Sequence, residues 1–116
     1  MPRKKLNPLP VTAFHIMVSL ADEDLHGYEI MRRVEEQTGG RTRLGPGTLY
    51  GSIRALLEAG FIAETGSGAD ARLSDERRRY YRLTAAGRKI SREEAERLAD
   101  LLRVARAKKL LRGEYV

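Results

Sequence analysis

The residues that could do chemistry are few. The chain has no cysteine, which excludes disulfides, thiolate metal sites and thiol catalysis. Its two histidines, His15 and His26, do not share the four-residue spacing, with an acidic neighbour, that places two imidazoles on one helix face around a metal. His15 lies in an apolar run and His26 precedes a glycine, so a structural role is expected for each. No acid/base pair, nucleophile constellation or nucleotide loop stands out. Gly45-Pro46-Gly47 is not a phosphate loop, because no Gly-Lys-Ser/Thr follows it. The sequence points away from an enzyme, and no cofactor or metal is expected.

Charge gives the positive signal. The chain carries 22 Lys and Arg against 16 Asp and Glu, a net charge of +6. The stretch from Arg72 to Arg92 holds eight basic residues (Arg72, Arg77, Arg78, Arg79, Arg82, Arg88, Lys89, Arg92) and two acidic ones (Asp75, Glu76), which equals that whole excess. Localised arginine suits a polyanion, since each guanidinium can fork onto a phosphate and release counterions. A solvated face that keeps the protein soluble is the competing explanation, so the surrounding elements must decide.

With 116 residues, 41% of them hydrophobic, the chain suits one domain with its own core. Residues 1–8 read as a loose basic arm. The basic start followed by apolar Val11–Ala21 has the outline of a secretory leader. His15 and Ser19 interrupt it, however, Asp22-Glu23-Asp24 follows without a small-residue cleavage site, and about 20 apolar residues are needed to span a membrane. A buried helix of a cytoplasmic protein is expected. Pro10 opens it, and Val11, Phe14, Met17 and Val18 recur at helical steps, widened by Ala13, Ile16 and Leu20. A helix this apolar is expected to touch more than its own chain's core. A second helix opens at His26-Gly27-Tyr28-Glu29, with Glu29 reaching back as in a capping box, and closes at Gly39-Gly40.

A third helix is expected from about Pro46–Thr48 to Ala59, with Leu49, Ile53, Leu56 and Leu57 inward. Its opposite face shows Thr48, Gly51, Arg54, Ala55 and Glu58, flanked by Tyr50 and Ser52. A helix enters a DNA major groove only if its backbone can approach the bases, and Gly51 and Ala55 permit that. Thr48, Tyr50, Ser52 and Arg54 can reach phosphates or base edges. Phe61–Thr65 and Arg78–Thr84 read as the strands of a hairpin, with Arg72, Arg77, Arg78 and Arg79 at or near its tip. Tyr81 and Leu83 share the face that anchors the hairpin.

Thr84 caps a last helix that is expected to run to about Arg112. Its length of about 42 Å exceeds the diameter of a globule of this size. Leu98, Leu101, Leu102 and Ala105, then Leu110-Leu111, keep it apolar to the far end. A second copy of the chain is the simplest partner, with Phe14, Met17 and Val18 of the first helix as the other half of the interface. The expected fold is mainly α with a small β-hairpin. It divides into an arm (1–8), a winged helix-turn-helix (9–84) and a C-terminal dimerisation helix (85–116).

Three motifs occur in order: His26-Gly27-Tyr28-Glu29, Gly47-Thr48-Leu49-Tyr50 and Tyr81-Arg82-Leu83-Thr84. On these the chain, from about Pro10 to Arg112, resembles the winged-helix PadR-type transcriptional regulators, in their short-tailed branch. The resemblance implies a homodimeric repressor that binds double-stranded DNA at an inverted-repeat operator. The third helix would be its recognition helix, the hairpin its wing, Tyr50 a DNA contact with Thr48 beside it, and the first and last helices its dimer surface. It also implies a small-molecule effector, phenolic or drug-like, or another stress signal; the chain has no Trp, so no flat aromatic sandwich for a planar drug is evident. The alternative is a winged-helix adaptor that binds protein instead of DNA.

Overall fold

The computed structural model describes residues 6, 8–65 and 79–112. Helix α1 spans Val11–Ser19. Pro10 begins it without a side-chain cap, and the Phe14 N–H donates to the Pro10 carbonyl at 3.0 Å. Ala13, Ile16, Met17 and Leu20 turn into the core. Ser19 is buried with them, and its hydroxyl is satisfied by donating to the Ile16 carbonyl at 2.6 Å. A two-residue strand, β1 (Leu25–His26), leads straight into α2 (Gly27–Gln37).

Helix α2 starts on a reciprocal cap. The Glu29 N–H donates to His26 Nδ1 at 3.3 Å, and the His26 N–H donates to Glu29 Oε1, also at 3.3 Å. Two otherwise orphaned N–H groups are thereby paired. Arg33 of α2 holds Glu23 of the preceding turn at 2.6 Å, and that hydrogen bond raises the guanidinium further above its ordinary range. Helix α3 (Pro46–Ala59) lays Leu49, Ile53 and Leu56 against Ile16 and Met17 of α1 and Ile30 and Val34 of α2 in one buried cluster. Each such side chain contributes about 1.5–3 kcal/mol by leaving water.

Strands β2 (Ile62–Glu64) and β3 (Tyr80–Leu83) follow, then α4 (Ala85–Ala107). The expected hairpin is part of a three-stranded antiparallel sheet ordered β1-β3-β2. Leu25 faces Tyr81 across one ladder and Ile62 faces Leu83 across the other. Tyr81 is buried and Leu83 packs on the core, as the alternation of the strand requires. Burial pushes the Tyr81 phenol above its usual range, with Glu64 adding to the rise.

The closing helix corrects the sequence reading. It ends at Ala107, not near Arg112, and Leu110-Leu111 lie beyond it. Lys109 adopts φ 66°, its N–H bonds the Arg106 carbonyl, and the Leu110 N–H bonds that of Ala105. This is a Schellman closure, the device that also ends α2 at Gly39-Gly40 and α3 at Gly60-Phe61. With no Gly or Pro between Gly87 and Gly113, no helix-breaking residue marks the stop. A left-handed lysine costs about 1–2 kcal/mol, offset here by the two carbonyls it satisfies. At 23 residues, α4 is about 35 Å long. The radius of gyration, 15.8 Å, exceeds the roughly 13 Å of a compact chain of this size. Only Gly87 of α4 is buried.

Gly87 is where α4 docks. A Cβ there would stand 2.0 Å from the Phe61 carbonyl oxygen. The same corner is pinned by Thr84, whose N–H donates to Phe61 O, whose hydroxyl donates to Gly60 O, and whose Oγ1 accepts from the Gly87 N–H. Backbone oxygen cannot swing aside as a side chain does. We therefore expect Gly87→Ala to lower stability by about 1–3 kcal/mol, read as a fall in the midpoint of urea unfolding at unchanged slope.

Candidate nucleic-acid interface

Helix α3 presents two faces of different chemistry. Leu49, Ile53 and Leu56 are buried, whereas Thr48, Gly51, Arg54 and Glu58 are exposed, with Ser52 and Ala55 half-buried. A Cβ added to Gly45, Gly47 or Gly51 would meet no atom within 4 Å. Nothing among the described residues therefore requires glycine at position 51. A glycine in a helix interior costs about 0.5–1 kcal/mol relative to alanine, so its bareness suits something that approaches from outside. The helix begins at Gly45-Pro46 without a side-chain cap, which leaves its first N–H groups free for an anion.

Tyr50 is placed by a close approach. Its ring lies across Gly27, the first residue of α2, so that a Cβ there would stand 2.3 Å from the phenol oxygen and 2.8 Å from Cζ. Tyr50 nevertheless remains 44% exposed. One edge of the ring is seated on the α2 backbone while the remainder faces solvent beside Gly51. The sequence reading placed Gly27 in the opening of this helix, where it is buried. It missed that the absent side chain makes room for Tyr50. It also missed Tyr28, 59% exposed beside that seat, although an aromatic one position past the inward Gly27 already had to point outward.

The cations divide into held and free. Arg54 and Arg82 are exposed and have no ion-pair partner among the described residues. Arg79 is held by Glu64 at 3.3 Å. An exposed pair of this kind is worth at most about 1 kcal/mol, so a phosphate can displace the carboxylate. Within the basic stretch, Arg88 donates to the Ala21 carbonyl and Lys89 to Glu93. The first ties α4 to the end of α1, and the second is a pair within α4. Arg72, Arg77 and Arg78 lie outside the described residues.

The apolar residues expected to meet a second copy fall into two groups. On α4, Leu101 and Leu102 are 56% and 48% exposed, Leu98 and Ala105 are half-buried, and Val104, which the sequence reading passed over, is exposed too. On α1, Val18 is exposed and Phe14 half-buried. Met17 must be reassigned. It is wholly buried within its own chain, where it accepts a hydrogen bond from the Ser91 hydroxyl at 3.3 Å, so it has no surface to offer a partner. Phe14 and Val18 line an apolar groove of about 220 Å³ between α1 and α4, with Leu83, Ser91 and Ala95 on its other walls.

Comparison with known proteins agrees with this geometry. Residues 16–93 match the Transcriptional regulator PadR-like family. An uncharacterised 37.1 kDa protein of a Streptomyces fradiae transposon is 39% identical over 87 residues, 74% of this chain but 22% of that protein, so the chain spans about a fifth of that relative. A transcriptional regulator of Mycobacterium tuberculosis is 33% identical over 89 residues, 77% of each. Among solved structures, a PadR family transcription regulator from Clostridium difficile superposes with TM-score 0.71 at 24% identity, over 84% of this chain and 97% of that one. Bacillus subtilis PadR in complex with operator DNA gives 0.61 at 23% identity, over 76% and 48%. With a mostly helical chain, a three-stranded antiparallel sheet behind a bare-faced third helix, and that family match, the chain belongs to the PadR-like family of transcriptional regulators, which are DNA-binding regulators and not enzymes.

Proposed function

We propose that this chain is a homodimeric repressor that binds an inverted-repeat operator in the cytoplasm and is released by a small-molecule or stress signal. Two copies of α3 enter successive major grooves about 34–36 Å apart. The arginine-rich segment between β2 and β3 reaches the flanking backbone or minor groove. The observation that carries the reading is Gly51, a bare and unobstructed position at the centre of an exposed helix face between Tyr50 and Arg54. The operator complex of the Bacillus subtilis relative supports DNA as the partner. Pairing of two chains is supported by the exposed leucines of α4 and the neighbouring groove on α1.

Three measurements test the proposal. Gly51→Leu should abolish binding to a duplex selected from a random pool while leaving the sedimentation of the protein unchanged, whereas Gly51→Ala should raise thermal stability by about 0.5–1 kcal/mol. Replacing Arg78 and Arg79 together by Ala should weaken binding to all duplexes alike and reduce the slope of log K against log salt by about two; an unchanged slope would remove the wing from the interface. Leu101→Asp with Leu102→Asp should convert a dimer into monomers by sedimentation and cost operator affinity with it. Absence of saturable duplex binding by the wild-type protein would favour a protein-binding adaptor.

A further inference from the structure

His26 stands where three parts of the molecule meet. Its backbone lies in β1, paired with Tyr80 of β3. Its ring caps α2, because Nδ1 accepts from the Glu29 N–H. The same ring meets Tyr80 edge-on, with centroids 5.3 Å apart. The next residue is Gly27, on which Tyr50 rests. The imidazole therefore adjoins the seat of a recognition-helix side chain on one side and the base of the wing strand on the other.

Its role as a cap depends on an Nδ1 that carries no proton. An imidazole nitrogen accepts a hydrogen bond only when it carries no proton, and an imidazolium has two donors and no acceptor. The titratable groups that face the ring are Glu29 and Tyr28 on α2 and Tyr80 on β3. Only Glu29 favours the charged form, from 3.6 Å, and its carboxylate already accepts from the His26 N–H. Protonation exchanges the Nδ1 cap for a cation at the positive end of the α2 dipole, where a cation is disfavoured.

We propose that His26 is a positioning residue for DNA binding: its neutral ring holds the start of α2 beneath Tyr50 and against the wing strand, so that uptake of a proton weakens the grip on DNA. The inference rests on the DNA-binding reading above. Its sign distinguishes it from general electrostatics. Acidification adds positive charge to a protein already at +6, and that alone tightens binding to a polyanion. A loss of affinity on acidification therefore requires a specific group.

The test is a fluorescence-anisotropy titration of the full chain, at constant salt, against a duplex selected from a random pool by the wild-type protein at about pH 8, repeated in steps to about pH 5, the window in which histidine changes charge. Wild-type affinity should fall about fivefold, the size of losing one helix cap. His26→Asn restores an uncharged cap acceptor, so its affinity at the acidic end should be no weaker than its own at the basic end. His15→Asn should keep the wild-type decline. Gly27→Ala, which displaces the Tyr50 ring directly, should bind more weakly across the whole range. A wild-type affinity that stays level or rises on acidification overturns the proposal, as does an Asn variant that declines like the wild type. Failure of the wild type to bind any duplex at any pH would instead sink the DNA-binding reading.

Discussion

Strand β3 is hydrogen-bonded on both edges, and the other elements of the interface take their places from it. Through β1 it fixes the start of α2, and through β2 the exit of α3. Thr84, the residue after it, ties α4 to the Gly60-Phe61 corner. Its alternation does the rest, since Tyr81 is buried in the common core while Arg82 faces water. A four-residue strand thus sets the relation of β2, α3 and α4. The cost of disturbing it would be shared among all three.

Legibility in the sequence followed signal length and chemical distinctiveness. Helix α3 was readable because an amphipathic run of 14 residues is framed by Gly-Pro at one end and Gly60 at the other. Its exposed Thr48, Gly51 and Arg54 emerged where the periodicity put them. Strand β1 was unreadable, because two residues carry no alternation. His26 was read as the opening of the second helix, when with Leu25 it forms an edge strand of the sheet. The Thr84 cap was legible, and the end of α4 was not, since Lys109 does in a Schellman closure what Gly39 and Gly60 do elsewhere. Met17 was misplaced because a helix apolar on most sides does not state which side meets its own core. That its sulfur takes the Ser91 hydroxyl depends on a helix seventy-odd residues later.

Charge shows the same division. The sequence concentrated the whole net charge between Arg72 and Arg92, but composition cannot tell a free guanidinium from an engaged one. Arg88 spends a donor on the Ala21 carbonyl, Lys89 pairs within its helix and Arg79 leans on Glu64. Arg54, outside the stretch, is exposed without an ion-pair partner among the described residues. Among the described residues, the count therefore overstates how many cations of that stretch stand free.

The sheet order has a kinetic meaning. Leu25 must find Tyr81 across more than fifty intervening residues, whereas α1, α2 and α3 make their shared core from neighbours in the chain. Closing the larger loop costs more entropy before it returns any contact. The helices therefore have the shorter loops to close, while the ladder that aligns them with β3 must close a far longer one.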